Sequence, residues 1–362
     1  MSFQFKTLPF YHKLASVLVI LISIGFLVIQ GKELLSPLIF SCLFSILLLP
    51  LAALFEKKLR LKRGLAAILS VLLLLAAIYS IVYLVAIQMG DLAGDWPQFK
   101  MQLDSTVSKL QHWISVTFHV NATKQLTFVK SATSQVLDTG TSVLGITILS
   151  LSSTILFMVF TFIYTFFFLS YRRMIMRFLV SVFLEENSLV VHDIIEKVQH
   201  ILRKYIIGLF IEMCVVATFV CLALSVLGIK YAILLGLITG LFNIVPYIGI
   251  FTAMALSVLI TFATGAVAGK ILLVAITLII THLVDSNILL PAIVGSKVKI
   301  NALITVLGVV IGEMIWGVSG MFLSIPVIAV LKIIFDRIES LKPWGILLGE
   351  EEKPPKVKKA KI

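Results

Sequence analysis

Charge is what this sequence has least of. Asp, Glu, Lys and Arg make up 13% of its 362 residues, where a soluble globular chain carries roughly 25%. That shortage excludes a soluble enzyme and a disordered chain. Cysteine is scarce too. Cys42, Cys214 and Cys221 all lie inside apolar runs, without the spacing of a disulfide framework or a metal site. They read as small hydrophobes. The phosphate-cradling glycine loop with its lysine, the HExxH pair and the GxSxG elbow are all missing. Energy from ATP, zinc hydrolysis and serine catalysis are therefore not expected on this chain, and no cofactor or metal is called for. An intramembrane aspartyl protease would need two buried aspartates, and the apolar runs contain one.

What fills the chain is hydrocarbon. Hydrophobic residues account for 60% of it, and the mean hydropathy is +1.10. Runs able to cover the roughly 20 residues of a crossing fall at 14–29, 34–55, 65–89, 143–169, 205–229, 232–263, 271–290 and 302–335. The fold class is all-α: a polytopic transmembrane helical protein of about eight spans. The first run lacks a small-residue cleavage site and is followed closely by another span, so it reads as a retained helix.

The net charge of +12 sits at the ends of these runs. Lys57, Lys58, Arg60, Lys62 and Arg63 form one cluster, Arg172, Arg173 and Arg177 another. The tail adds Lys353, Lys356, Lys358, Lys359 and Lys361. Basic loops stay on the cytoplasmic side, so this is a topology signal rather than a nucleic-acid surface. Eight spans with both termini inside place all three clusters in the cytoplasm.

Two runs are too long. Those at 232–263 and 302–335 exceed a bilayer crossing by about half. The first holds Gly236, Gly240, Asn243, Pro246, Tyr247 and Gly249. The second holds Gly308, Gly312, Glu313, Gly317, Gly320 and Pro326. Broken apolar segments of this kind point to transporter binding sites, and both are expected to be broken, re-entrant or kinked.

Outside the spans, 90–140 is expected to be an extracytoplasmic amphipathic region. There Trp96, Phe99, Leu103, Val107, Leu110 and Ile114 recur at helical steps. A second amphipathic stretch at 185–204 is expected on the cytoplasmic side. The division that follows is 1–89 with three spans, 90–140, 141–170 with the fourth span, 171–204 as a cytoplasmic linker, 205–336 as the transport core, and 337–362 as a basic tail.

Only three of the 18 acidic residues, Glu212, Asp285 and Glu313, fall inside apolar runs. A carboxyl in the bilayer interior is costly and marks a cavity or a partner. Thr277, Thr281 and Asp285 repeat at four-residue steps and share a helix face. His282, Ser286 and Asn287 widen that polar strip, and Pro291 follows it. Hard oxygen ligands of this type suit sodium, protons or a polyhydroxylated solute.

The segment Asn243-Ile244-Val245-Pro246-Tyr247-Ile248-Gly249 resembles the autoinducer-2 exporter family of bacterial membrane proteins. So do Gly228-Ile229-Lys230-Tyr231-Ala232, Leu290-Pro291-Ala292-Ile293-Val294-Gly295 and the stretch from Trp316 to Pro326. One position departs: many members have glutamine directly after the glycine at Gly208, and here Leu209 follows, with Glu212 three residues on. The resemblance implies a multi-pass secondary transporter of the bacterial inner membrane. Some members are assigned to export of autoinducer-2, others to sodium/proton antiport. It also implies a homo-oligomer, with five subunits as the candidate number.

The expected function is export of a small polar solute, with Asp285 and Glu212 as coupling or contact groups and Glu313, Thr277, Thr281 and Asn287 as further candidates. Asn243, Pro246, Tyr247 and Gly249 form the broken-helix motif. A sodium/proton antiporter using the same acids is the alternative. A non-transporting scaffold is the alternative of another class. Its partners are then a small polar solute or sodium and protons, with membrane lipid around it, and no nucleic acid.

Overall fold

The computed structural model describes residues 9–95, 148–182, 188–245, 248–264, 266–293 and 300–350, with isolated residues at 97, 101, 105, 108 and 116. The amphipathic positions expected at Trp96, Phe99, Leu103, Val107, Leu110 and Ile114 lie outside the described residues, as do Pro246, Tyr247 and the basic tail from residue 351. The described residues are helical almost throughout, as the continuous apolar runs require. Backbone in hydrocarbon must bond within its own segment, and a helix does so.

The helices run α1 Phe10–Gln30, α2 Lys32–Lys58, α3 Arg63–Gly94, α4 Ile148–Ser181, α5 Ser188–Val226, α6 Ala232–Phe242, α7 Ile248–Ala263 and α8 Ala268–Val284. A π-helical turn, Asp285–Leu289, extends α8 into the short α9, Leu290–Ile293. After it come α10 Ala302–Trp316, α11 Val318–Arg337 and α12 Lys342–Leu348. Among the described residues, six helical segments are long and apolar enough to cross a membrane: Lys32–Lys58, Arg63–Gly94, Thr154–Ser181, Leu189–Val226, Ala268–Leu289 and Val318–Arg337.

The amphipathic stretch at 185–204 is helical from Ser188 and continuous with the span after it. From Ser188 it is the first half of α5, whose 39 residues extend about 58 Å at 1.5 Å per residue. That is nearly twice the hydrocarbon thickness. The helix carries its amphipathic face out of the bilayer without a break, because no Gly or Pro stands between Ser188 and Tyr205 to end it.

The chain divides into two compact units. The first comprises Met1–Ile46, Phe157–Gln199 and Lys299–Ile362. Its centre is an aromatic contact in which Phe40 stacks on Phe322 at 5.4 Å and meets Phe157 edge-on at 5.5 Å. Here the second over-long run is a reversal rather than a kink. Gly317 alone joins α10 to α11, with φ 65° and ψ −142°, a conformation open in practice only to glycine. The two helices then fold back so closely that a Cβ on Gly320 would lie 1.9 Å from the Gly312 carbonyl oxygen.

The second unit comprises Leu47–Leu156 and His200–Val298. One buried cluster joins four of its helices, through Leu92 near the end of α3, Val216 and Val220 of α5, Leu234 and Leu235 of α6, and Val274 and Leu278 of α8. In lipid the drive to associate is close packing rather than escape from water. That favours small residues at the contact, and α6 meets α5 through them. A Cβ on Gly236 would stand 2.3 Å from Cys221 Sγ, and one on Gly240 would stand 2.7 Å from both Ala217 Cβ and the Met213 carbonyl oxygen. The first over-long run is also interrupted. After Phe242 the helix stops, and it resumes at Ile248 with Gly249 pressed on the Phe242 carbonyl, where a Cβ would have 1.7 Å. At 11 residues, α6 is about 16 Å long. It reaches only about half way through a hydrocarbon layer.

Candidate functional site

The α5–α6 contact decides where the polar groups meet. Gly236, Gly240 and Asn243 fall at steps of four and three, which is one face of a helix. Because Gly240 lies on the backbone at Met213, Asn243 at the end of α6 arrives beside Glu212 of α5. Its Nδ2 donates to Glu212 Oε1 at 3.2 Å and also to Asp285 Oδ2 at 3.0 Å. The two carboxyls, from helices far apart in sequence, share one amide nitrogen.

Both acids are enclosed by the protein. Glu212 is 3% exposed and Asp285 6%. Each has one oxygen on Asn243, while Glu212 Oε2 and Asp285 Oδ1 have no hydrogen-bond partner among the described residues. An unpartnered buried oxygen is costly, and each acid of the pair leaves one.

Asp285 opens the π-helical turn. Such turns tend to lie at functional sites. The same turn corrects the expectation for Asn287. Past Asp285 the helical register shifts, and Asn287 is exposed, donating to the Leu283 carbonyl at 2.8 Å and to Ser286 Oγ at 3.2 Å.

Thr277 and Thr281 keep their places on α8, but their hydroxyls bond to the backbone one turn back. Thr277 Oγ1 donates to the Leu273 carbonyl at 2.8 Å and Thr281 Oγ1 to the Thr277 carbonyl at 2.7 Å. Neither hydroxyl bonds to Asp285. Glu313 is also corrected: it is exposed on α10, in the other unit. Gly312 takes the face against α11, and the next residue is turned about 100° away from it. Gly249 serves the close return of the chain after Phe242, its N–H donating to the Val245 carbonyl at 3.1 Å. Sequence reasoning placed Asn243 in the broken-helix motif, and it does cap the end of α6; what that reasoning missed is its bond to both acids. Its signal was the Gly236/Gly240/Asn243 spacing.

The sequence model described as AI-2E family transporter matches residues 14–340. The proteins this chain is similar to include the "Putative transport protein" YhhT of Escherichia coli (strain K12) and the "Putative transport protein" YrrI of Bacillus subtilis (strain 168). The chain is 25% identical to YhhT over 344 residues, covering 93% of each protein. It is 33% identical to YrrI over 132 residues, which is 36% of this chain and 37% of that protein. Over YrrI, therefore, the likeness spans little more than a third of the relative's length.

Proposed function

The chain belongs to the AI-2E transporter family, and from that premise we propose that Glu212, Asn243 and Asp285 form the coupling site of a secondary transporter exporting a small polar solute. The observation that carries this is the pair of enclosed carboxyls on one amide, each with an oxygen left over. An acid in the bilayer interior costs about 3 kcal/mol on insertion scales, and a purely structural helix contact has no use for two. Side by side in low dielectric, two ionised carboxyls repel, and a proton or cation between them removes that repulsion. Uptake and release of that charge then shifts the balance between two arrangements of α5, α6 and α8.

An autoinducer-2-like cargo is supported by the sequence motifs and by the family's name. The same site favours a second reading, a sodium/proton antiporter, because carboxylate oxygens are hard ligands suited to a small hard cation. The basic clusters support a bacterial inner-membrane placement with both termini inside, and the family resemblance supports a homo-oligomer.

Purified protein in proteoliposomes with imposed sodium and proton gradients separates these readings. Export of autoinducer-2 driven by a pH gradient is the expected result. Sodium flux with no solute present establishes the antiporter instead. Movement of neither under any gradient removes the transporter reading and favours the scaffold.

A further inference from the structure

A second polar cluster lies at the opposite end of α6 from Asn243. The turn from α5 into α6 is held by Gly228, at φ 64°, and by a bond from the Ile229 N–H to the Leu224 carbonyl at 3.0 Å. This six-to-one closure over a left-handed glycine is a Schellman motif, and it presents the next two side chains rigidly. Both reach one carboxylate. Lys230 Nζ and Tyr231 OH each donate to Asp95 Oδ2, at the C-terminal cap of α3. The first turn of α8 is tied to the same place, through Lys270 Nζ on the Gly228 carbonyl at 3.1 Å. Beside this cluster is a cleft of about 670 Å³ whose lining includes Gln88, Asp91, Ser225 and Ile229. That falls within the range of small-molecule sites.

We infer that Asp95 is the fastening residue of a gate: it holds the start of α6 against the end of α3, and its release opens the cleft toward the acid site. The inference rests on the transport reading above. Two observations set it apart from a structural clamp. The Asp95 side chain is 30% exposed and that of Lys230 53%, and ion pairs so open to water add little to stability. This tie lies between the end of α3 and the start of α6, where Tyr231 OH also reaches the Asp91 carbonyl at 3.4 Å, and α6 is the helix that carries Asn243 to the two acids. The packing of α3 on α6 is carried by Leu92, Tyr231, Leu234 and Leu235, so an exposed pair at the root of the short helix bearing the coupling site can open and close without unfolding it. Hydrogen bonds from Lys230 and then Tyr231 hold the Asp95 carboxyl below the ordinary carboxylate range, so the fastening is charged at neutral pH and waits on motion rather than on protonation.

The test uses the full-length protein on a cysteine-free background, with Asp95→Cys and Lys230→Cys joined by a short, disulfide-containing bifunctional thiol reagent. The cross-link imitates the contact already present, so it leaves a merely structural tie satisfied. Loss of transport on cross-linking, with recovery on reduction, is the expected result; an unchanged rate in the cross-linked protein overturns the gate. A second readout does not depend on the cargo. A cysteine in place of Ile229, 8% exposed on the cleft wall, is expected to react with a polar thiol reagent about fivefold faster when Asp95→Asn is added, the most that an exposed ion pair supports. Equal labelling rates overturn the gate even if no cargo is found. Labelling that accelerates in a protein that carries nothing keeps the gate and discards the transport reading.

Discussion

Glu212 and Asp285 accept hydrogen bonds from the same nitrogen, Asn243 Nδ2, at 3.2 and 3.0 Å. One amide thus spends both its protons on two acids from different helices. The remaining oxygens, Glu212 Oε2 and Asp285 Oδ1, face no donor among the described residues.

Removing the bridge is expected to damage the site more than either acid's loss of charge. Asn243→Leu strips both carboxyls of their shared donor while keeping a side chain of similar size. Leaving a buried acceptor unsatisfied costs about 1–3 kcal/mol, so the thermal midpoint in detergent should fall and transport should be lost. A variant with unchanged melting and flux shows that the two bonds are dispensable.

Asp285→Asn keeps the shape and removes the charge. Coupled transport is expected to disappear while membrane insertion and chromatographic behaviour stay as in the wild type. Wild-type flux from the purified variant excludes Asp285 from coupling, and failure to fold makes its carboxyl structural.

Glu212→Gln preserves an acceptor for Asn243, so the helices should pack as before. What is lost is a group that can gain and release a proton. Solute binding is expected to remain measurable, and transport should no longer respond to an imposed pH gradient. Flux measured against gradient size decides this, and an undiminished slope removes Glu212 from the mechanism.

The close approach of α6 to α5 makes its own prediction. A methyl group at Gly240 would come within 2.7 Å of Ala217 Cβ and of the Met213 carbonyl. Gly240→Ala must therefore push α6 outward, at about 1–3 kcal/mol for an overpacked contact, and carry Asn243 away from Glu212. Lower thermal stability together with lost pH-gradient response is the expected pair of effects. Alanine at the unconfined Gly269, with nothing within 4 Å of its Cβ, should leave both unchanged.

The Asp95 tie has a defined pH window. Its carboxyl titrates below the ordinary value because Lys230 and Tyr231 bond to the charged form. Any stability it adds is therefore present above the unfolded pKa of about 3.9 and is lost as pH falls through the lower folded one. Labelling of Ile229→Cys, divided at each pH by that of a fully exposed reference cysteine because only the thiolate reacts, should accordingly be flat between about pH 5 and 8. A rise in that ratio within the interval shows that some other group controls the gate.

The amino-acid sequence by itself determined the solvent in which this protein folds. Sixty per cent apolar residues in long runs leave helices across a bilayer as the solution, and the period of those runs marks most of them. It also singled out Glu212 and Asp285, since a carboxyl inside hydrocarbon is conspicuous in one dimension. Tertiary structure alone decided that these acids are neighbours. Their meeting depends on how closely Gly240 lets α6 approach α5, a distance that no local periodicity encodes. Tertiary structure likewise turned Gly312-Glu313 so that its glycine packs and its glutamate is exposed, and it shifted Asn287 out of register through a π-helical turn ahead of Pro291. In each case the residue type announced cost or freedom, and the contact made by the neighbouring helix determined what that residue does.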